Sequence, residues 1–523
     1  MSPIESYAER YGARYKWIAT CTVMLCTIVT TAASTMVNVA LPDIMGAFGM
    51  GQDQVQWLST GFLAAMTATM LLTAWALGRF GYRRTFIGAL VVFIIGTVAG
   101  AASSTSSEII LARVLQGMAS GLIQPSTMVV LSQVFPWNQR GRAMSIYTIG
   151  VVLAPALGPT LAGYLVDEYS WQYVFLAVLP ICLAAMAAAS MFLPDRDTQH
   201  DGAAYRFDAF GFLLLVVCLV CLLSAISNGQ REGWGSDLVL ALFFAAFITA
   251  AAFVFWELTC RLPLLNLRVF ANGPFTASCL VAFALGGGIY GSTYIVPLFV
   301  QLVQGYTATR TGLLLMPAGF VLALASPVGG RLADRLPPWG PVMVGLALFG
   351  LSNWLSAGAD VDTSFWLLAW WTVVGRIALG IITPSLNAGA LRVLPHEMLA
   401  QGSGTLNFVR QLGGAMGVNL LSVVIDQRTT FHVDALAQAM TPATSAAGAA
   451  VQRLGLMLTH WGNPFGTRLP SNAPPAAMNY LETMVVPKAR LLAYQDGFHI
   501  VAVLFFATLL PALFMRQFTS GRR

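Results

Sequence analysis

The sequence predicts an all-α integral membrane protein of fourteen transmembrane helices. Of its 523 residues 57% are hydrophobic and only 10% are charged, whereas soluble domains carry about a quarter charged residues. Apolar runs near the roughly 20 residues that a bilayer core requires recur along the whole chain. Backbone groups in lipid must be paired internally, so each run reads as a helix or a broken helix.

The first six spans fall at 17–40, 57–78, 85–106, 109–131, 143–166 and 171–193, ahead of a polar linker at 194–208. Two more, 209–228 and 238–256, stand between that linker and a second at 258–273. The last six are 274–303, 311–330, 339–358, 363–388, 402–425 and 497–515. The expected organisation is an N-terminal six-helix bundle (1–193), linkers with two inserted helices (194–273), and a C-terminal six-helix bundle (274–523). The last contains a long outer loop, 426–496, rich in Ala and Pro, with an amphipathic pattern near 446–458.

Basic residues orient the spans. With the N-terminus inside, cytoplasmic segments hold 18 Arg and Lys, and the short outer loops hold only Arg231 and Arg310. Long loops follow this rule poorly, so 426–496 is left out of the comparison. Both termini are therefore expected in the cytoplasm of a multi-pass protein, and the net charge of +6 reads as an insertion signal. A nucleic-acid partner would need a continuous basic face, which the sequence lacks. The opening (Lys16, an apolar run, Ala32 and Ala33) resembles a signal peptide, but cleavage would upset the even span count, so the segment is read as retained. The seven cysteines avoid the outer loops, so no disulfide framework is expected; Cys218 and Cys221 sit within an apolar span and read as packing residues. No metal-ligand cluster, phosphate loop or nucleophile constellation appears, so neither an enzyme nor a cofactor is expected.

Two short motifs recur at corresponding places. Leu77-Gly78-Arg79 follows the second span, and Gly330-Arg331-Leu332-Ala333-Asp334-Arg335 follows the second span of the later unit. Arg113 with Gly117 in the fourth span is echoed by Arg376 with Gly380 in the twelfth, both RxxxG. Such echoes suit duplicated halves around a shared path.

Three charges fall well inside spans: Arg113, Arg376 and Arg410. Each costs about 2.5–3.5 kcal/mol at a helix centre on the lenient scale, so each needs a partner or a wet cavity. Arg113, Gln116, Gly117, Ser120 and Gln124 form one polar stripe at 100° per residue. Asn407, Arg410, Gln411 and Gly414 repeat the pattern. Such stripes either bind helices to one another or line a solute path. In the fifth span, Pro155 and Pro159 remove ladder donors and bend the helix, while Gly158 and Gly163 permit close contact, which suits either a moving seal or an ordinary kinked packing helix.

These residues resemble a known family, the fourteen-spanner drug:proton antiporters of the major facilitator superfamily, of the EmrB/QacA type. Leu111-Ala112-Arg113-Val114-Leu115-Gln116-Gly117 matches its RxxQG signature. The segment Ala154-Pro155-Ala156-Leu157-Gly158-Pro159 through Gly163 is similar to its antiporter signature, and Asn38-Val39-Ala40-Leu41-Pro42 to the end of its first-helix signature. Gly305-Tyr306-Thr307-Ala308 leading to Gly312 and Pro317, and Arg410-Gln411-Leu412-Gly413-Gly414, resemble the second-half signatures. The likeness covers nearly the whole chain and implies a major-facilitator fold of two six-helix bundles plus two inserted helices. Two positions depart from the pattern: Ala33 stands where the first-helix signature usually has Asp, and Gly78 where the loop signature usually has Asp.

The resemblance implies a bacterial inner-membrane exporter of lipophilic or toxic compounds, coupled to protons, with lipid around it. The EmrB type further implies a periplasmic adaptor protein and a TolC-type outer-membrane channel, with 426–496 as a docking element. Candidates for the substrate or proton path are Asn38, Phe62, Arg113, Gln116 and Gln124 in the first unit. Tyr290, Tyr294, Asn387, Asn407 and Arg410 are their counterparts in the second. Gate or conformational candidates are Arg79, Arg83, Pro155, Gly158, Pro159, Asp334, Arg335 and Arg376. Ala33 and Gly78 leave a second reading open, a transport-fold sensor or an uncoupled facilitator.

Overall fold

The computed structural model describes residues 12–135, 157–195, 207–229, 232–260, 263–395, 398–439 and 474–519, and among them every regular element is helical. We number the principal helices α1 (Tyr15–Phe48), α2 (Trp57–Met70), α3 (Thr73–Ala101), α4 (Ser106–Val134), α5 (157–168), α6 (Leu179–Phe192), α7 (Ala209–Asn228) and α8 (Asp237–Thr259). Then follow α9 (Gly273–Leu302), α10 (Ala308–Arg335), α11 (Trp339–Ala357), α12 (Phe365–Arg392), α13 (Leu399–Ala439), α14 (Pro474–Ala507) and the short α15 (Leu509–Thr519). Among the described residues twelve helices are long and apolar enough to cross a membrane. The other two predicted spans fall on α2 and α5. Helix α2 is continued by hydrogen bonds from Leu72 to Thr69 and from Ala76 to Leu72. The chain turns at Gly81, whose φ of 78° lies where a side chain is rarely accommodated. The earlier part of the predicted fifth span, 143–156 with Pro155, lies outside the described residues.

Helix starts have local causes. The side chains of Ser236, Asn272, Thr307 and Ser364 accept first-turn N–H groups of α8, α9, α10 and α12, satisfying donors that a helix leaves open. Helix α4 begins with a capping box between Thr105 and Glu108. Glu108 is thus engaged with the backbone of its own helix start.

Two sequence-based boundaries are corrected. The segment expected as an outer loop over 426–496 is helical at both ends, because α13 runs on to Ala439 and α14 already starts at Pro474. The final span, expected at 497–515, extends over Val485–Met515. Hydropathy marks where a chain can sit in lipid, and polar residues extend a helix beyond that limit. The amphipathic pattern at 446–458 lies outside the described residues.

The packing is duplicated. Helix α4 packs against α1, α2 and α3, and α12 packs against their counterparts α9, α10 and α11. The shared RxxxG explains this: a Cβ at Gly117 would lie 2.3 Å from the Phe62 carbonyl oxygen on α2, and one at Gly380 2.6 Å from Ala325 Cβ on α10. Across the halves, α1 meets α9 and α2 meets α13; α5 meets α10 in the matching position.

The α7–α8 pair does not separate the halves. Helix α7 lies on the outside against α2 and α13, through Leu215 and Leu219 with Ala68 and Phe408. Polar contacts pin it: Gln56 Nε2 and Trp57 Nε1 donate to Ser227 Oγ at 3.0 and 3.1 Å, and Asn419 donates to the Leu223 carbonyl at 3.1 Å. Helix α8 is outermost, with Phe244, Phe247 and Phe255 each at least 67% exposed, as expected of a lipid-facing helix.

Candidate functional site

We call the face of the bundle at which α1 begins the near face and the one at which it ends the far face. The interior of the first half is organised by Arg113, which is fully buried. Its Nε donates to the Leu58 carbonyl at 2.9 Å, and Nη1 donates to the Ala33 carbonyl at 3.3 Å and to Gln116 Oε1 at 2.8 Å. The guanidinium lies 4.4 Å from the centre of the Phe62 ring, a cation–π distance. Gln116 Nε2 passes the network to Thr97 Oγ1 on α3 at 2.9 Å. One arginine thus ties α1, α2, α3 and α4 together by filling carbonyls that helix geometry would otherwise leave with spare lone pairs. Of the predicted stripe, Ser120 donates to the Gln116 carbonyl, and Gln124 is half-buried further toward the near face.

The second-half candidates form separate groups. Arg410 donates to Asn407 on its own helix α13, while Gly414 of the same stripe lies against the Tyr290 ring. Tyr294 is buried, its hydroxyl 3.4 Å from Ser422 Oγ. Arg376 donates to Thr293 Oγ1 at 3.4 Å, and Asn387 is half-buried on α12.

The far face holds polar contacts between the halves. Asn38 Nδ2 donates to the Thr293 carbonyl at 3.4 Å while its Oδ1 accepts from Ser59, and Gln301 donates to the Val39 carbonyl at 3.0 Å. Gln52 donates to Tyr494 and accepts from Ser422. The α5–α10 seam is tighter. A Cβ at Gly163 would stand 2.2 Å from the Ala308 oxygen, and one at Gly312 would stand 2.5 Å from the Pro159 oxygen. Thr160 Oγ1 donates to the Gly312 carbonyl at 3.0 Å. Gly158, by contrast, faces Thr35 and Met36 of α1.

Sequence reasoning missed Asp167 at the far end of α5. Its carboxylate accepts the backbone N–H of Ala308 at 3.2 Å and of Thr309 at 2.7 Å. The first turn of α10 is therefore capped from the other half of the molecule. Burial alone would raise this carboxyl, but hydrogen bonds from Thr309, Thr307 and Ala308 outweigh it and hold Asp167 below its ordinary value. A signal was present: an acidic residue at a helix C-terminus opposes the helix dipole unless something positive faces it, and here that is the N-terminus of α10. Glu257 was also missed; it is buried at the near end of α8 and accepts the Leu265 N–H at 3.1 Å, fixing the second linker.

Of the gate candidates on the near face, Arg83 Nε donates to the Leu193 carbonyl at 2.9 Å and Arg84 pairs with Asp195 at 3.3 Å, so this loop is tied to the end of α6. Arg79 and Arg335 are exposed there, and Asp334 lies in the last turn of α10.

The family model described as Major Facilitator Superfamily matches residues 23–418. The chain is 29% identical to the multidrug export protein EmrB of Escherichia coli strain K12 over 445 residues, covering 84% of this chain and 86% of that protein. It is also 29% identical to the tetracenomycin C resistance and export protein of Streptomyces glaucescens over 413 residues, 79% and 76% of the two chains. Its fold is similar to that of a bacterial homologue of the human lysosomal transporter Spinster, solved in an inward-facing and occupied conformation. That match has a TM-score of 0.63 and 14% identity, covering 97% of this chain and 98% of the other.

Proposed function

The chain belongs to the major facilitator superfamily, and from that premise we propose that it is a secondary active exporter of lipophilic, toxic compounds in the bacterial inner membrane, working by alternating access with proton antiport. The observation that carries the reading is how the halves meet: beside the packing of α2 on α13, through a few small hydrogen bonds and a glycine seam at the far face. Contacts of that kind can part and re-form while each half keeps its own arginine-centred or cavity-lined interior. The basic-residue asymmetry assigns the near face to the cytoplasm, so this state is closed to the outside.

Within that reading the units are 1–193, 194–273 and 274–523. Pro155, Gly158, Pro159 and the α5–α10 seam serve as the far gate, and Arg79, Arg83, Asp334 and Arg335 as the near gate. Asn38, Phe62, Arg113, Gln116, Gln124, Tyr290, Tyr294, Asn387, Asn407 and Arg410 border the path, Arg113 clamping the first half in the closed state, and Arg376 is a conformational residue of the second half. Relatives named for multidrug export and for tetracenomycin C resistance and export support toxic cargo, and the resemblance to the EmrB type extends the reading to lipophilic cargo and to a periplasmic adaptor with a TolC-type channel docking on the far side. Removing 440–480 then lowers export only when the adaptor is present.

Ala33 favours one alternative. Its site on α1 offers Arg113 a carbonyl in place of a carboxylate, which suits a facilitator without coupling. The first test is growth of a deletion strain on a panel of toxic lipophiles. Increased sensitivity, reversed by the intact gene and accompanied by higher cellular accumulation, is expected; an unchanged profile across the panel removes the export reading.

A further inference from the structure

Arg113 and Arg376 hold matching places in the two halves, each four residues before the glycine that seats its helix. Their surroundings differ. Arg113 is held by two carbonyls, an amide oxygen and a ring. Arg376 makes one long hydrogen bond, 3.4 Å to Thr293 Oγ1, and no described carboxylate pairs with it. Instead it lines a cavity of about 30 Å³ inside the second half, walled by α9, α10, α11, α12 and α14. A site needs about 10–15 Å³ to hold one water, so this one has room for one or two waters or one compact ion.

The wall is polar around the guanidinium, with Ser292, Ser352, Asn353, Ser356 and Thr372. The hydroxyls of Ser352 and Ser356 already donate to the carbonyls of Trp371 and Ser352, at 2.7 and 2.9 Å. Asn353 Nδ2 uses one of its two N–H groups on the Phe349 carbonyl at 2.9 Å. The donors left for a cavity occupant are the guanidinium N–H groups of Arg376 and the second N–H of Asn353. A guanidinium keeps its charge at any ordinary pH, and a charge removed from water requires compensation. A pocket of this size whose one charge is positive, with N–H donors left over, fits a small anion better than a cation.

We propose that the Arg376 cavity binds a compact monoanionic group, either a free halide or the carboxylate head of a transported compound. The site adjoins the seam between the halves, since the residue whose hydroxyl takes Arg376 also gives its carbonyl to Asn38 of the first half. An anion that draws the guanidinium off Thr293 acts on the residue that anchors that contact. Only the cargo version rests on the export reading; anion binding itself is measurable whether or not the protein exports anything.

The test uses full-length protein in lipid nanodiscs and radiolabelled chloride, with sulfate holding ionic strength constant. Saturable binding of one chloride per chain is expected, weakened at least tenfold by Arg376→Gln and unchanged by Arg268→Gln, an exposed near-face control. Ser356→Leu, which fills the cavity and leaves the arginine in place, removes binding as well. Octanoate and its methyl ester separate the sources. Displacement of chloride by octanoate but not by the ester identifies a carboxylate-bearing cargo, and displacement by neither identifies a resident halide. Absence of saturable binding to the wild-type protein overturns the proposal, and so does wild-type binding by a folded Arg376→Gln or Ser356→Leu variant.

Discussion

Gly163→Ala puts the far-face seam under direct strain. The added Cβ would meet the Ala308 oxygen at 2.2 Å, the Ala308 carbonyl carbon at 2.5 Å and the Thr309 Cα at 2.7 Å. All three are backbone atoms, so no rotamer change relieves the clash, and α5 and α10 must part by roughly 1 Å to regain ordinary contact. Overpacking of this kind costs about 1–3 kcal/mol. The cost falls on the far-closed state alone, because the helices are already apart when the far face opens. A differential of that size shifts a two-state equilibrium about 5–150-fold. Double electron–electron resonance between labels at Tyr173 and Asp362, exposed far-face sites on opposite halves, reads the shift in a background without native cysteines. A longer-distance population should grow at the expense of the shorter. A folded Gly163→Ala protein with the wild-type distance distribution refutes the claim that this seam closes the face.

Arg113→Lys removes the planar fork and leaves the Leu58 or Ala33 carbonyl unfilled, at about 1–3 kcal/mol for each buried group left unpaired; the thermal midpoint should drop and export fail together, and a variant with wild-type stability and export contradicts the clamp. Asp167 has its carboxyl lowered in the latched state, so its contribution to far-face closure is complete above the ordinary carboxylate value of about 4 and is lost as pH falls through the latched value. The closed population measured with the same labels should therefore be flat from neutral pH down to about 5 and decline below about 4, and Asp167→Asn should remove that acid-side decline; a decline that persists in the variant assigns it to another group. Ser227→Ala deprives Gln56 and Trp57 of a shared acceptor, so backbone hydrogen exchange should rise in the far half of α7, and unchanged exchange shows that the apolar contacts alone hold that helix.

The spans were legible because membrane helices must be long and apolar, and the RxxxG echo located the two helices at the centre of the two halves. The sequence also put Arg113 and Gln116 on one polar stripe, since residues three apart share a helix face, and the structure joins them at 2.8 Å. What it did not show was anything set by the meeting of distant segments. Asp167 reads as a surface acid until α10 is brought to it, and Ser227 reads as one polar residue in an apolar run until Gln56 and Trp57 converge on it. The difference between Arg113 and Arg376 was equally hidden, because identical motifs give no account of which carbonyls lie within reach. The extension of α13 to Ala439 escaped because polar helix beyond the lipid leaves no hydropathy mark.

The most direct test of the whole account is transport in everted membrane vesicles loaded with the intact protein, where the near face looks outward. Acidifying the vesicle interior should drive uptake of a lipophilic substrate above its equilibrium level, and collapsing the pH gradient should release it. Substrate entry that only reaches equilibrium, at one rate with and without the gradient, contradicts proton-driven export and leaves an uncoupled facilitator.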